Sequence, residues 1–286
     1  MSKSGRIKSD LDDMTSLVEI IQILKDVASN SFYGAAKRKA KFEEFALAFT
    51  EFFRMVSLSE AVSPLVKNDI DKVAILAITW EGGFMADLNA KVIKTALGEG
   101  EKMNVVEYLV LGQKGAEKLA TLTDKPIFVV ENVVELGAYK AALAIKDRVI
   151  ERVLKGEVGT FYVVYPRAKS LQFIKPNIQK LLPSEELGSK QMEIKDTIEK
   201  VIVESNYDDI INYLADLWIT CRIDEMIEDC SIAAFAAQSQ QLESSLERMK
   251  KDQKGLVMSF RKAKKSDIDK SLREVFTSKI MGGGRR

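Results

Sequence analysis

Proline is confined to one part of this chain. All five prolines fall between Pro64 and Pro183, so both ends lack the residue that most reliably breaks a helix. From Asn206 to Met281 there is no proline and a single glycine, Gly255. Helices of ordinary globular domains run to ~20 residues. A continuous helix over Asn206–Met281 is on the order of 110 Å long at its fixed rise per residue. Ile7 to Leu58 gives roughly 75 Å on the same geometry. Two long helices from opposite ends, with an α/β segment between them, predict a shaft attached to a head.

Apolar spacing in the C-terminal stretch is that of a coiled coil. Leu242, Leu246, Met249, Gln253, Leu256, Phe260 and Ala263 step alternately by four and three, a heptad seam with Gln253 as its polar member. A polar seam residue fixes register at some cost in stability. Further up, Ile210, Leu214, Leu217 and Cys221 keep the helical pattern, and Ser231–Ala237 (SIAAFAA) is small on several sides, which predicts neighbours on several sides. In the N-terminal stretch Met14, Leu17, Ile21, Leu24 and Ala28 step by three and four, followed by Phe42, Phe45, Phe49, Phe52 and Val56. The two stripes bury each other most simply as an antiparallel pair. Residues 10–26 carry five acids against Lys25, and residues 248–273 carry ten bases against three acids, so opposite charges flank the expected seam. Exposed pairs contribute only ~0–1 kcal/mol each and select direction more than they stabilise.

The middle alternates strand and helix signals. Val73–Thr79, Val105–Leu111, Ile127–Val130 and Thr160–Tyr165 read as strands, and Asp87–Leu97, a short segment from Gly115, and Ala138–Leu154 read as helices. Val201–Val203 adds an expected edge strand. The fold class is therefore α/β: a small parallel-sheet head between long helices that form an antiparallel coiled coil. The expected division is a coiled-coil helix over 1–63, the head over 64–205, the second coiled-coil helix over 206–281, and a flexible tail over 282–286.

Composition removes several functions. Histidine is absent, and with it the commonest general acid–base group and metal ligand. Cys221 and Cys230, nine apart on one helix, neither face each other nor make a zinc site alone. A net charge of +1 gives no reason to expect nucleic acid. There is no apolar run of about 18 residues and no signal-peptide core, so the expected location is the cytoplasm. Gly82-Gly83-Phe84 follows the first strand where a phosphate loop belongs, but the glycine fingerprint is incomplete and a tight turn explains it. Asp12-Asp13 and Asp208-Asp209 lie near expected helix starts, where they oppose the helix dipole.

The order of long helix, small α/β head and longer helix resembles the gamma subunit of F-type ATP synthases. Leu111-Gly112-Gln113-Lys114-Gly115 is similar to the family's glycine–basic–glycine turn. Val164-Tyr165-Pro166-Arg167 is similar to its V-Y-N-R-F, and Gln179-Lys180-Leu181-Leu182-Pro183 to its Q-L-L-P close. Gly82-Gly83-Phe84 matches its C-G-G-F turn without the cysteine, and Asp229–Ala237 lies over E-S-A-A-S-E-H-A-A. Departures point to a divergent or alternative type. Asp10, Asp12, Asp13 and Glu19 stand where the family is basic or neutral, and Lys264 and Lys265 replace an arginine–glutamine pair that grips a catch loop. Lysine lacks arginine's planar fork, so that grip is altered.

The resemblance implies a non-catalytic rotor shaft in the bore of a hexameric ring of catalytic and non-catalytic nucleotide-binding subunits. An epsilon-type stalk subunit and a membrane ion-translocating ring are further implied partners. It implies no cofactor, metal or nucleic acid, and a location peripheral to the plasma membrane. Partner-binding residues carried over are Leu24, Lys262, Lys264, Lys265, Ile268, Asp269, Leu272 and Arg273, with Phe260–Phe276 in the bore. Two other readings stay open: a non-rotary coiled-coil adaptor with a docking head, and a small-molecule-binding α/β protein using the crevice beside Gly82 and Gly83.

Overall fold

The computed structural model describes residues 3–55, 63–131, 137–184 and 207–282, with side chains described over 3–39, 63–131, 137–184 and 212–279. The expected strand at Val201–Val203, the apolar run Phe42–Val56 and the pair Asp208-Asp209 lie outside the described strands and side chains. In chain order the elements are α1 (Lys3–Met55), β1 (Val73–Ile78), α2 (Leu88–Gly100), β2 (Val105–Leu111), α3 (Gln113–Ala120), β3 (Ile127–Val130), α4 (Ala138–Leu154), β4 (Thr160–Ser170), β5 (Phe173–Leu182) and α5 (Tyr207–Gly282). They form two compact units: Met1–Ala28 with Ser239–Arg286, and Ser29–Gln238.

The first unit is an antiparallel helix pair. Three contacts fix its direction. The Ser4 amide donates to Asp267 Oδ2 at 3.2 Å, Gln253 Nε2 donates to Thr15 Oγ1 at 2.9 Å, and Lys25 Nζ meets Glu243 Oε2 at 2.7 Å. As numbers rise along α1 they fall along α5. The α5 seam is as read from spacing: Leu242, Leu246 and Ala263 are buried, and Met249, Gln253, Leu256 and Phe260 are half-buried. The α1 seam differs. Leu17 and Leu24, expected to face α5, are 48% and 40% exposed. The inward residues are Ser4, Ile7, Leu11, Met14, Val18, Ile21, Lys25 and Ala28, again in steps of three and four. Met14, Ile21 and Ala28 belong to both registers, so spacing alone left the intervening rows degenerate. Val18 and Lys25 win, with the Lys25 ammonium held above its ordinary value chiefly by its hydrogen bond to Glu243. No ion pair among the described residues joins the acids of residues 10–26 to the bases of residues 248–273. Within this unit, among the described residues, the ion pair that joins the two helices is Lys25–Glu243, with its base on α1 and its acid on α5.

The second unit carries a five-stranded sheet of order β3-β2-β1-β4-β5. The first four strands are parallel, but β5 runs antiparallel to β4, so the sheet is mixed and not wholly parallel as expected. Its edge is Phe173–Leu182, a strand not among those expected from the sequence, although it contains Pro176. Pro176 sits directly opposite Pro166. Two prolines facing each other occupy a non-hydrogen-bonded pair, where neither needs an N–H. β4 has passed the end of β1 by then, since its pairing with β1 stops at Val164.

Both sheet faces are apolar, as a parallel sheet requires. From β1, Ala74, Leu76 and Ile78 join a core with α4 and the Leu214–Cys230 stretch of α5. Val73, Ile75 and Ala77 join the opposite core with α2 and α3. Two buried charges pin the α4 side. Glu107 is 2% exposed and accepts from Arg148 at 2.7 Å and Arg152 at 2.5 Å. Lys146 reaches Asp216 at 2.8 Å and Asp147 at 2.7 Å. The small run Ser231–Ala237 has neighbours on several sides, as expected. Ile232 and Ala236 pack with Phe32 and Ala35 of α1 and with Ala168 and Ile174 of the β4–β5 hairpin. Ala234 and Ala237 pack with Met85 and Leu88.

Two measurements probe these units. Leu246 is 1% exposed and Leu256 only half-buried. Leu246→Ala is therefore expected to cost ~2–5 kcal/mol of helix-pair stability and Leu256→Ala clearly less, read from urea unfolding of the full chain. Asp224, on α5, is raised from 3.8 to about 6, first by burial and then by Glu228. The folded chain therefore holds this proton more tightly than the unfolded chain, and stability falls as pH rises between those two values. Asp224→Asn is expected to stabilise the second unit by on the order of 1 kcal/mol at pH above about 6, allowing for screening at a half-buried site, and to do nothing below about pH 4.

Candidate functional site: the free end of the C-terminal helix

Among the described residues, Asp267 is the last on α5 to take a hydrogen bond from α1. From Ile268 to Lys279 every side chain is exposed. This end is not uniformly polar. Ile268, Leu272, Val275 and Phe276 are 51–65% exposed and recur at helical spacing, an apolar row of the kind that marks an interaction surface. Beside it, Lys262, Lys265, Ser266, Asp269, Lys270 and Arg273 line a shallow groove of about 450 Å³. Four of these six are cationic. Lys270 reaches Glu274 at 3.9 Å on the exposed surface, a weak contact. The arrangement offers an apolar ridge and a cationic groove on one helix end, chemistry suited to holding a partner.

The structure gathers seven of the eight expected partner-binding residues here: Lys262, Lys264, Lys265, Ile268, Asp269, Leu272 and Arg273, all exposed. Leu24 is not among them. Its neighbour Lys25 pairs with Glu243, which precedes Lys262 on α5 by roughly 30 Å of helix axis. Leu24 lies instead on an outward row of α1 with Leu17, Ile20 and Val27, which the sequence reading missed by assigning Leu17 and Leu24 to the seam. A second missed feature is an ion cluster in the second unit. Lys39 reaches Asp229, and Glu225 at 3.7 Å, with Arg167 4.0 Å from Asp229. Its members are far apart in sequence and carry no common spacing signal.

The glycine turns serve packing. Gly112 has φ +100, and a Cβ on Gly115 would lie 2.2 Å from Thr79 Oγ1, so no other residue fits there. After β1, the Gly82 carbonyl accepts from Lys114 at 3.2 Å and the Gly83 carbonyl from Gln238 Nε2 at 3.1 Å. Glu81 takes the Gln113 amide at 2.5 Å, and Asn89 bonds both the amide and the carbonyl of Trp80. The polar groups of this turn are spent on the protein itself. Cys230 is buried with its Sγ 3.8 Å from the Ile78 carbonyl, and burial first and then the Asp229 charge push its thiol up, away from reactivity. Among the described residues there is no cluster of side chains that would hold a metal ion, and no helix long and apolar enough to cross a membrane.

This architecture recurs in solved ATP synthase structures. The chain is similar to a chain of the Euglena gracilis mitochondrial ATP synthase (OSCP/F1/c-ring, rotational state 3) with a TM-score of 0.65 at 16% identity, covering 98% of this chain and 95% of that one. It is similar to another from the Tetrahymena thermophila mitochondrial ATP synthase central stalk with c-ring, with a TM-score of 0.59 at 17% identity, covering 79% and 99%. The fold is that of a central-stalk subunit of a rotary ATP synthase. A family model described as ATP synthase matches residues 4–279. ATP synthase gamma chains from Lachnoclostridium phytofermentans and Roseiflexus castenholzii are 25% and 24% identical, each covering 96% of this chain and 97% of its own length. The chain belongs to the ATP synthase gamma-chain family.

Gln238→Ala removes the donor from the Gly83 carbonyl. Cleavage by a nonspecific protease within Glu81–Phe84 is expected to quicken, while global stability drops by no more than about 1 kcal/mol.

Proposed function

We propose that this chain is the central rotor shaft of an F-type ATP synthase, coupling ion-driven rotation of a membrane ring to conformational change in a catalytic hexamer. It does no bond chemistry of its own and works as a cam. The observation that carries this reading is the one-sided end of α5, where Ile268, Leu272, Val275 and Phe276 form an exposed ridge beside a cationic groove. A cam must differ from face to face. Turning such a helix end inside a ring of subunits changes the contact free energy at each subunit in turn, and differential contact is what shifts open and closed populations. Lys262, Lys264, Lys265 and Arg273 meet acidic loops of that ring, Asp269 meets a partner group beside them, and Ile268 and Leu272 meet its apolar lining. Lysine at 264 and 265 offers point charges in place of a planar fork, so the contact is less geometrically demanding than an arginine's.

In the same reading residues 64–205 form the head, which faces the membrane ring and an epsilon-type stalk subunit. Residues 1–63 and 206–281 form the coiled coil, with 282–286 as tail. The complex holds the chain peripherally at the plasma membrane. A gamma-chain family and a fold shared with central stalks support this assembly.

Rotation is tested directly by attaching a fluorescent bead to the head in the reconstituted complex and adding ATP. Stepwise turning is the expected result, and a static bead on an ATP-hydrolysing complex contradicts the proposal. Truncation after Lys254 is expected to leave the head folded and to uncouple hydrolysis from torque. Full coupling in the truncated complex excludes the α5 end as the working surface.

A further inference from the structure

Another groove lies in the second unit, where the Phe32–Lys39 stretch of α1, β4 and α5 converge. Its volume is about 430 Å³, within the ~300–1,000 Å³ range of small-molecule sites. Part of its wall is apolar: Phe32 and Ile232 are buried, and Ala36 and Ala168 are half-buried. Its charge is one-sided, with Lys39, Arg167 and Lys169 set against a single acid, Asp229. The three cations are not equivalent. Asp229 is 6% exposed and commits Oδ1 to Lys39, which Glu225 also reaches at 3.7 Å. Glu225 in turn holds Arg222. Arg167 stands 4.0 Å from Asp229 Oδ2, at the outer limit of an ion pair, with its side chain 53% exposed. Lys169 is exposed and joins no ion pair among the described residues. The buried carboxylates are thus matched by Lys39 and Arg222, and two cations beside an apolar wall lack a full counter-charge. Unlike the groove on the free end of α5, this one is walled by three separate segments.

We propose that this groove binds a small amphiphilic anion, one acidic group on an apolar body. The body covers Phe32 and Ile232. The acidic group meets the Arg167 guanidinium and the Lys169 ammonium, through hydrogen bonds that charge strengthens. The planar fork of Arg167 suits an oxyanion, and Asp229 keeps the anion on the Arg167 side of the groove by like charge. A neutral body gains only the apolar part, and a cationic one meets the unmatched charge and is rejected. Held there, the ligand touches α1, β4 and α5 together, and binding to the folded state alone stabilises the second unit by mass action. The inference goes beyond the rotor reading and does not require rotation.

The test titrates the full chain with two fluorescent probes that share an aromatic body. Anilinonaphthalene sulfonate carries an anionic group and phenylnaphthylamine carries none. The sulfonate is expected to bind at least about tenfold more tightly than the neutral probe, with the preference fading as salt rises from about 0.1 to about 1 M. Arg167→Gln with Lys169→Gln is expected to remove the preference and leave the apolar binding. Ala36→Trp fills the groove and is expected to remove binding of both probes with an unchanged circular dichroism spectrum. Ala36→Leu gives a milder loss if the tryptophan variant unfolds. The urea midpoint of the full chain is expected to rise with the sulfonate, and to rise less with the neutral probe at the same concentration. Equal affinity for the two probes, binding untouched by the glutamine or Ala36 variants, or an unmoved midpoint overturns the proposal. So does loss of sulfonate binding in Lys265→Gln with Arg273→Gln, which places the probe on the α5 end instead. The rotor reading is judged by bead rotation, so the two fail separately.

Discussion

The C-terminal helix is held by apolar burial against a succession of surfaces, and the two units exist because of it. A helix of 76 residues gains little from its own backbone bonds, because helix stability in proteins comes mainly from packing. α5 changes its side chains to suit each surface. Leu214, Trp218, Ile219, Ile223 and Ile227 cover one face of the sheet. The alanines of Ser231–Ala237 then let other segments approach closely from two directions. From Leu242 to Ala263 the spacing tightens to a heptad seam.

Polar contacts in both units act as locks. In the helix pair they recur at Ser4–Asp267, Thr15–Gln253 and Lys25–Glu243. Each is partly exposed, so none adds much stability, but a one-turn slip breaks all three together. Glu107 with Arg148 and Arg152 is a different case. Removing one member of a buried pair strands the others and costs ~3–5 kcal/mol, which holds α4 to β2 in one register. The same economy governs the turn after β1, where Gln238 and Lys114 absorb the carbonyls of Gly82 and Gly83.

In the proposed function the working surface begins where this burial stops. Beyond Asp267 α5 keeps its helical form and loses its cover, leaving Ile268, Leu272, Val275 and Phe276 in solvent beside Lys262, Lys265 and Arg273. A family defined over residues 4–279 and a fold shared with central stalks give that surface its meaning. The apolar row on α1 is the second place where burial is left incomplete.

Much was legible in residue order alone. Proline placement determined that the ends are helices and the middle is α/β, because a ring without an N–H interrupts a helix wherever it falls. The α5 seam was legible because Leu242, Leu246 and Ala263 had no apolar rival at the adjacent row. Tertiary structure decided the rest. Met14, Ile21 and Ala28 fit two seams equally, and only contact with α5 turned Val18 and Lys25 inward and Leu17 and Leu24 out. Pro176 sits in a strand that its pairing with Pro166 across the ladder makes possible. Periodicity fixes how often a helix presents an apolar side chain; which of two such rows is buried depends on the surface it meets.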